Sequence, residues 1–132
     1  MLTIDRIDHV VLTARDVDTT AAFYVRVLGM THVSFEGGRQ ALSFGRQKIN
    51  LHQAGREFEP KAERPAPGAL DLCFITETPI DAVVEHLNAT GVPILDGPVV
   101  RTGAEGPILS VYFRDPDGNL LEVSNRITGS AP

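Results

Sequence analysis

Cysteine and tryptophan are almost absent from this sequence of 132 residues, which has no tryptophan and a single cysteine, Cys73. One cysteine cannot form an internal disulfide, so a disulfide-stapled scaffold is excluded and packing must stabilise the fold. A single thiol also fits a reducing compartment, and the N-terminal residues do not have the pattern of a secretory leader. We therefore expect a cytoplasmic protein.

Long apolar runs and basic stretches are missing as well. No segment approaches the roughly 20 apolar residues that are needed to span a bilayer, so a membrane partner is not expected. Lys and Arg number 12 against 17 Asp and Glu, giving a net charge of −5, and no basic stripe could follow a phosphate backbone. Nucleic acid is therefore not an expected partner. The length and the 42% hydrophobic content predict one domain, residues 1–132.

A strand, a helix and three further strands are predicted twice along the chain. Apolar periodicity, capping residues and turn formers mark these elements. In the first half, the strand covers residues 7–13, the helix follows residues 16–19 and ends at Gly29, and the later strands cover 32–35, 40–44 and 49–53. After a proline-containing linker at 54–68, the strand covers 70–76, the helix runs from 78 to 88 and ends before Gly91, and the later strands lie around 92–95, 108–114 and 119–125.

Two pairs of residues set the register of this repeat. His9 and Asp71 are separated by 62 residues, and so are the helix-ending glycines Gly29 and Gly91. A repeated offset of this kind is typical of one structural unit used twice. We therefore predict an α+β fold of two tandem βαβββ units, at about residues 4–54 and 68–126, that form a cupped mixed sheet.

Three side chains on separate predicted strands have the chemistry of metal ligands. Glu122 lies in the apolar strand Leu120-Leu121-Glu122-Val123, where an unpaired carboxylate would be costly and needs a cation or strong donors. His9 and His52 also lie on strands, and two imidazoles with one carboxylate form a set that binds divalent zinc, nickel, iron or manganese. Taken alone, His9 also fits an ordinary buried core histidine.

Three segments of the chain have distinctive sequence patterns: residues 7–12, 23–30 and 113–122. They resemble the signature segments of a known family, the vicinal oxygen chelate superfamily. This superfamily includes glyoxalase I, the extradiol dioxygenases and the bleomycin-resistance proteins. The turn Asp115-Pro116-Asp117-Gly118 is the most specific part of the resemblance, because it leads directly into the strand that carries the glutamate. Residues 50–62 further resemble the small glyoxalase-domain-containing proteins.

The resemblance implies metal ligands on the first and last strands of each unit. His9 and Glu122 match this pattern. On the last strand of the first unit the ligand position falls on Asn50 or, with a shift of two residues, on His52, which we prefer. The second unit begins with Asp71 where the family has histidine, and this residue is a possible fourth ligand, a group behind the ligands, or a solvated aspartate.

Further polar residues are candidates for binding substrate. Arg101 and Thr102 are predicted in a glycine-containing loop, where they would bind an anionic group or remain solvated. Tyr112 and Arg114 alternate on one strand, and one face of that strand would line the cup. Either residue would then contact the substrate or lie only at the rim. We predict Glu122 and Tyr112 as the catalytic residues.

The function implied by these residues is that of a metal-dependent lyase or isomerase of the glyoxalase type. A divalent metal would chelate adjacent oxygens of a small substrate and act as a Lewis acid. The alternatives are a metal-free binding protein that sequesters a drug, a ring-cleaving dioxygenase, and a scaffold that retains only the fold. We expect a homodimer, because small sheets leave strand edges open to pairing.

Overall fold

The computed structural model describes residues 1–127, so residues 128–132 of the predicted domain lie outside the described residues. The chain divides into two compact units, Met1–Ala69 and Leu70–Pro132. This division agrees with the repeat in the sequence. That the two units form a single domain stays a prediction.

The first unit contains one helix and four strands in a mixed sheet. Its elements are β1 (His9–Ala14), α1 (Val17–Leu28), β2 (Thr31–Phe35), β3 (Arg39–Phe44) and β4 (Gln47–Gln53), with a short 3-10 turn at Glu36–Gly38. The strand order is β1-β4-β3-β2, with β1 and β4 parallel and the other neighbours antiparallel. Turns and bends without a helix or strand follow at residues 54–70.

The second unit repeats this topology. Its elements are β5 (Asp71–Ile75), α2 (Ile80–Ala89), β6 (Asp96–Gly103), β7 (Gly106–Arg114) and β8 (Leu120–Arg126). The strand order is β5-β8-β7-β6, and again only the first and last strands are parallel. His9 and Asp71, which set the repeat offset, are the first residues of β1 and β5. The predicted α+β class with two tandem βαβββ units is therefore confirmed.

One predicted strand of the second unit was wrong. Residues 92–95 are not a strand, and β6 lies later, so Arg101 and Thr102 are strand residues rather than loop residues. The glycine-containing segment resembles a loop in the sequence, but Gly103 and Gly106 lie at the turn between β6 and β7. Gly97 and Pro98 are tolerated within β6 because it is an edge strand with one neighbour, where a proline breaks no second ladder.

Each helix packs on one face of its own sheet. In the first unit, buried residues such as Phe23 and Val27 of α1 cover the face that carries Leu42 and Ile49, which are register partners. In the second unit, α2 contacts β7 and β8 and covers the face of the buried residues Val111, Phe113, Leu121 and Val123. We call the opposite face of each sheet the open face. Within residues 1–127, neither helix has the length and apolar composition that crossing a bilayer requires.

An amide side chain on the last strand of each unit holds the start of that unit's helix. Gln53 Oε1 accepts from the Val17 amide at 3.1 Å, and its Nε2 donates to the carbonyl of Arg15. In the second unit, Asn125 Oδ1 accepts from the Ile80 amide at 2.7 Å, and its Nδ2 donates to the carbonyls of residues 76 and 78. These contacts satisfy helix N-terminal amides that have no partner within the helix.

Candidate functional site

Glu122 lies on the open face of the second unit, at the centre of its sheet. Its register partners are Cys73 on β5 and Tyr112 on β7. Because side chains on a strand alternate between faces, these three side chains point to the same side. They line a cavity of about 430 Å³, to which Arg101 and Thr102 of β6 also contribute.

Two buried serines support the Glu122 carboxylate. The Ser110 hydroxyl donates to Glu122 Oε2 at 2.5 Å, and its oxygen lies 2.7 Å from the Ser124 hydroxyl oxygen. Both serines have no exposed surface. A carboxylate that accepts a short hydrogen bond from a fixed hydroxyl has a defined orientation, and it faces the cavity in that orientation.

Tyr112 and Arg101 form the polar wall of the cavity. Arg101 Nε donates to the Tyr112 hydroxyl at 3.1 Å, and the guanidinium carbon lies 5.5 Å from the ring centroid. Its Nη2 also donates to Asp96 Oδ2 at 3.3 Å. Burial raises the pKa of Tyr112, although the hydrogen bond from Arg101 opposes that shift. Tyr112 is therefore a protonated hydrogen-bond donor at neutral pH.

Cys73 lies beside Glu122 on the neighbouring strand β5. It is exposed and lines the cavity, with its sulfur 3.5 Å from the Ser124 hydroxyl oxygen. Partial removal from water raises the pKa of the thiol, and the nearby Glu122 carboxylate contributes to the same shift. The thiol is therefore protonated at neutral pH, and a protonated thiol is a poor nucleophile.

The other two candidates of the second unit lie away from this cavity wall. Arg114 shares the open face, but its Nη1 donates to the Gly118 carbonyl at 3.2 Å and so contacts the turn before β8. Asp71 is exposed at the start of β5, two residues before Cys73 on the same face. Its role as a fourth ligand stays a prediction.

The turn before β8 is held by one buried carboxylate. Asp115 Oδ1 accepts from the amides of Asp117 and Asn119, and Oδ2 accepts from Asn119 Nδ2 at 2.7 Å. Asn119 Oδ1 in turn accepts from the Leu70 amide at 2.9 Å, next to the start of β5. The Asp-Pro-Asp-Gly-Asn segment therefore fixes the start of the strand that carries Glu122.

In the first unit, His9 is oriented by its neighbour in the sequence. His9 Nδ1 lies 2.8 Å from Asp8 Oδ2, and the histidine side chain is 43% exposed. This hydrogen bond is the main cause of the lowered pKa of Asp8. A histidine whose Nδ1 is bound to a carboxylate presents Nε2, which is the arrangement typical of metal-binding histidines.

Asn50 and His52 carry buried polar atoms that are unpaired within the described residues. These atoms are Asn50 Oδ1 and His52 Nδ1. His52 is 6% exposed, and the Phe58 ring packs against it edge-on with centroids 5.6 Å apart. Burial lowers the pKa of His52, and the nearby Arg39 adds to the effect, so the imidazole is neutral at pH 7. Unpaired oxygen and nitrogen acceptors of this kind fit the prediction of metal ligands.

The register of β1 and β4 sets the spacing of the first-unit candidates. His9 pairs with Lys48, whereas Asn50 pairs with Val11 and His52 pairs with Thr13, all on the open face. His9 and His52 are therefore about 13 Å apart along the strands, and Asn50 is about 7 Å from His9 in that direction. In residues 1–127 no group of three or more His, Cys, Asp or Glu side chains forms a metal-binding cluster. The ligand assignments stay predictions.

Ser110 and Ser124 were missed by the sequence reasoning. Each lies two residues from a residue that was singled out, Tyr112 in one case and Glu122 in the other. Strand alternation would have placed both serines on the same face as those residues. What the sequence did not provide was the pairing of Ser110 with Ser124 across β7 and β8.

Comparison with known proteins agrees with the resemblance in the sequence. The family model of the Glyoxalase/Bleomycin resistance protein/Dioxygenase superfamily matches residues 6–123. The chain therefore belongs to this superfamily.

Individual relatives cover most of the chain. Virulence protein STM3117 of Salmonella typhimurium is 60% identical over 124 residues, which are 94% of this chain and 86% of that protein. Its crystal structure gives a TM-score of 0.94 at 59% identity, covering 96% of this chain and all of that one. The glyoxalase domain-containing protein RDO1 of Mycosarcoma maydis is 55% identical, over 94% of this chain and 70% of that protein.

A more distant structure has a named activity. The crystal structure of lactoylglutathione lyase from Agrobacterium tumefaciens is 28% identical, with a TM-score of 0.72, and covers 92% of this chain and 94% of that one. It shares the fold of two βαβββ units. Its activity is a property of that protein.

Proposed function

We propose that this protein is a metal-dependent lyase or isomerase of the glyoxalase type, with Glu122 as its catalytic carboxylate. The observation that carries the proposal is the position of Glu122. It lies in an otherwise apolar strand, is held by Ser110 at 2.5 Å, and faces a cavity of about 430 Å³. The cavity volume is in the range of small-molecule sites.

The cavity residues support distinct roles in that chemistry. Glu122 moves a proton at the reacting carbon, because it is the carboxylate that the strands fix in the cavity. Tyr112, protonated at neutral pH, donates a hydrogen bond to an oxygen of the substrate. Arg101 is held by Tyr112 and Asp96 and binds an anionic group of the substrate.

A divalent metal belongs to this proposal, with Glu122, His9 and His52 as the candidate ligands. His9 is oriented through Nδ1 by Asp8, and His52 Nδ1 is buried and unpaired within the described residues. Because His9 and His52 lie about 13 Å apart along parallel strands, one metal ion would bind one of these histidines and not both. Asn50 is the alternative to His52. When bound, a metal of this kind polarises substrate oxygens as a Lewis acid.

The first experiment measures metal content and turnover in the same preparations. Protein purified without chelators is analysed for zinc, nickel, iron and manganese, and then assayed with the adduct of a 1,2-dicarbonyl and a thiol. We expect bound metal in the wild type. In Glu122→Gln we expect less metal and a kcat/KM at least about 100-fold lower, because removing a general base usually costs that much.

His9→Ala, His52→Ala and Asn50→Ala separate the first-unit ligands, and His86→Ala on α2 is the matched control. A ligand variant loses metal, because it removes a donor from the coordination set, whereas the control keeps it. Full metal content and turnover in Glu122→Gln would contradict the proposal. A metal-free wild type that binds bleomycin-like cationic drugs would favour sequestration, and oxygen consumption with a catechol would favour a ring-cleaving dioxygenase.

We also propose a cytoplasmic homodimer that acts on a small molecule. β1 and β5 are each at the edge of a four-stranded sheet, and exposed edges favour pairing between chains. Light scattering coupled to size-exclusion chromatography tests this. A mass near 14.3 kDa at high concentration, which is the mass of one chain, would contradict the dimer.

A further inference from the structure

Three side chains behind Glu122 form a connected row on the open face of the second unit. Ser110 lies on β7, Ser124 on β8 and Cys73 on β5. Ser110 Oγ is 2.5 Å from Glu122 Oε2, Ser124 Oγ is 2.7 Å from Ser110 Oγ, and Cys73 Sγ is 3.5 Å from Ser124 Oγ. The contacts therefore run without interruption from the carboxylate to the thiol.

The number of protons fixes the direction of every hydrogen bond in this row. A serine hydroxyl has one proton to donate, and an ionised carboxylate can only accept. Ser110 gives its proton to Glu122, so Ser124 must donate to Ser110. Ser124 has then used its own proton, and the contact with Cys73 requires the thiol to donate. Each group in the row has one donor role, and the carboxylate is the final acceptor.

Burial makes this arrangement specific. Ser110 and Ser124 have no exposed surface, so solvent does not replace either hydroxyl. Cys73 is exposed to the cavity, and its sulfur lies 3.5 Å from the Ser124 hydroxyl oxygen at the other end of the row. Hydrogen bonds in such a row polarise one another, so the last bond, onto the carboxylate, is the one that is strengthened.

We propose that Ser110 and Ser124 are positioning residues for Glu122, and that the Cys73 thiol is the terminal donor of the row. The inference rests on the proposed role of Glu122. Ser110 fixes which oxygen of the carboxylate is held and which one faces the cavity. The Ser124 hydroxyl donates a hydrogen bond to the Ser110 oxygen. This bond keeps the Ser110 hydroxyl turned toward Glu122.

The test compares Ser110→Ala, Ser124→Ala and the double variant, with Ser34→Ala on β2 as the control. For each variant, kcat, KM and the affinity for added Zn²⁺ are measured. In Ser110→Ala we expect kcat and Zn²⁺ affinity to fall by roughly 10-fold to 100-fold, as when a group that orients a ligand is removed, with KM within about twofold of wild type. Ser124→Ala shows the same pattern with a smaller fall.

The double variant separates positioning from packing. If Ser124 acts only through Ser110, the kcat and the Zn²⁺ affinity of the double variant equal those of Ser110→Ala within about twofold. Without the Ser110 hydroxyl, Ser124 has no group through which to act on Glu122. Ser110→Thr keeps the hydroxyl, so its kcat returns to the wild-type value. Cys73→Ser keeps a hydrogen-bond donor, so its kcat is higher than that of Cys73→Ala. Ser34→Ala matches the wild type. If Ser110→Ala fails to fold, the kcat and Zn²⁺ affinity of Ser124→Ala and of Cys73→Ala, each compared with wild type, still test the row.

The outcomes distinguish this inference from the proposed function. If Glu122→Gln retains metal and turnover, the proposed function is wrong. If Glu122→Gln loses them while folded Ser110→Ala and Ser124→Ala keep wild-type kcat and Zn²⁺ affinity, the positioning role is wrong. The positioning role is also wrong if the losses of kcat in the two single variants add up in the double variant. The same holds if kcat falls as much in Ser110→Thr as in Ser110→Ala.

Discussion

Asp115 is the residue of the second unit whose substitution should lower the free energy of unfolding most clearly. It accepts three hydrogen bonds, from the amides of Asp117 and Asn119 at 2.9 and 3.0 Å and from Asn119 Nδ2 at 2.7 Å. Asp115 is 6% exposed and Asn119 is 1% exposed, so water does not replace these bonds. Asp115→Ala leaves three buried donors without an acceptor.

The magnitude follows from the kind of bond that is lost. A hydrogen bond to a charged group contributes about 1.5–3 kcal/mol, and relaxation of the turn recovers part of the sum of three. We expect Asp115→Ala to lower the free energy of unfolding by about 3–5 kcal/mol, which is at the upper end for single substitutions. Asp115→Asn keeps Oδ1 for the two backbone amides but places an NH₂ group against that of Asn119. It should therefore cost less, about 1–2 kcal/mol.

Urea denaturation followed by far-ultraviolet circular dichroism measures both variants. The control is Asp5→Ala, because Asp5 is exposed and its ion pair with Arg6 is on the surface. We expect the control within about 0.5 kcal/mol of wild type. A loss below about 1 kcal/mol in Asp115→Ala, or an equal loss in Asp115→Asn, would refute the reasoning that the three bonds to a buried carboxylate hold the turn.

Three further predictions concern backbone, pH and reactivity. Gly97→Ala should lower the unfolding free energy by at least about 2 kcal/mol, because its φ is +100° and a Cβ would lie 2.2 Å from the Ser110 carbonyl oxygen. Gly45→Ala is the control: a Cβ there would meet open space, so the loss should be about 1 kcal/mol. Equal losses in the two variants would contradict this prediction. Since burial lowers the pKa of His52, the unfolded chain binds its proton more readily, so wild-type stability should fall relative to His52→Gln as pH drops below about 6.5. Iodoacetamide at pH 7.5 should alkylate Cys73 more slowly than free cysteine, because its pKa is raised; an equal rate would count against that.

The repeat could be predicted because it depends on local signals. Apolar alternation marks strands, and glycines in the left-handed conformation mark helix ends, as Gly29 and Gly91 do with φ of 67° and 74°. The position of strand β6 could not be predicted, because Gly97 and Pro98 are residue types that form turns in most contexts. Only its position at the sheet edge, which is a tertiary property, makes them acceptable there.

The site was predictable only in part for the same reason. A carboxylate in an apolar strand identifies Glu122 without any knowledge of its neighbours, because the desolvation cost demands a partner. Which partner it finds depends on strand pairing. Ser110 and Cys73 lie 12 and 49 residues from Glu122 in the chain, and nothing local connects them to it.

The sequence by itself determined the superfamily, the α+β class and the two repeated units, because these follow from local patterns that recur along the chain. Tertiary structure decided the register, and with it the row of hydroxyls behind Glu122. It also decided the separation of His9 from His52, because parallel pairing places His9 beside Lys48 and His52 beside Thr13. Side-chain alternation gives the face of the sheet, but the position along that face depends on which strands pair and with what offset.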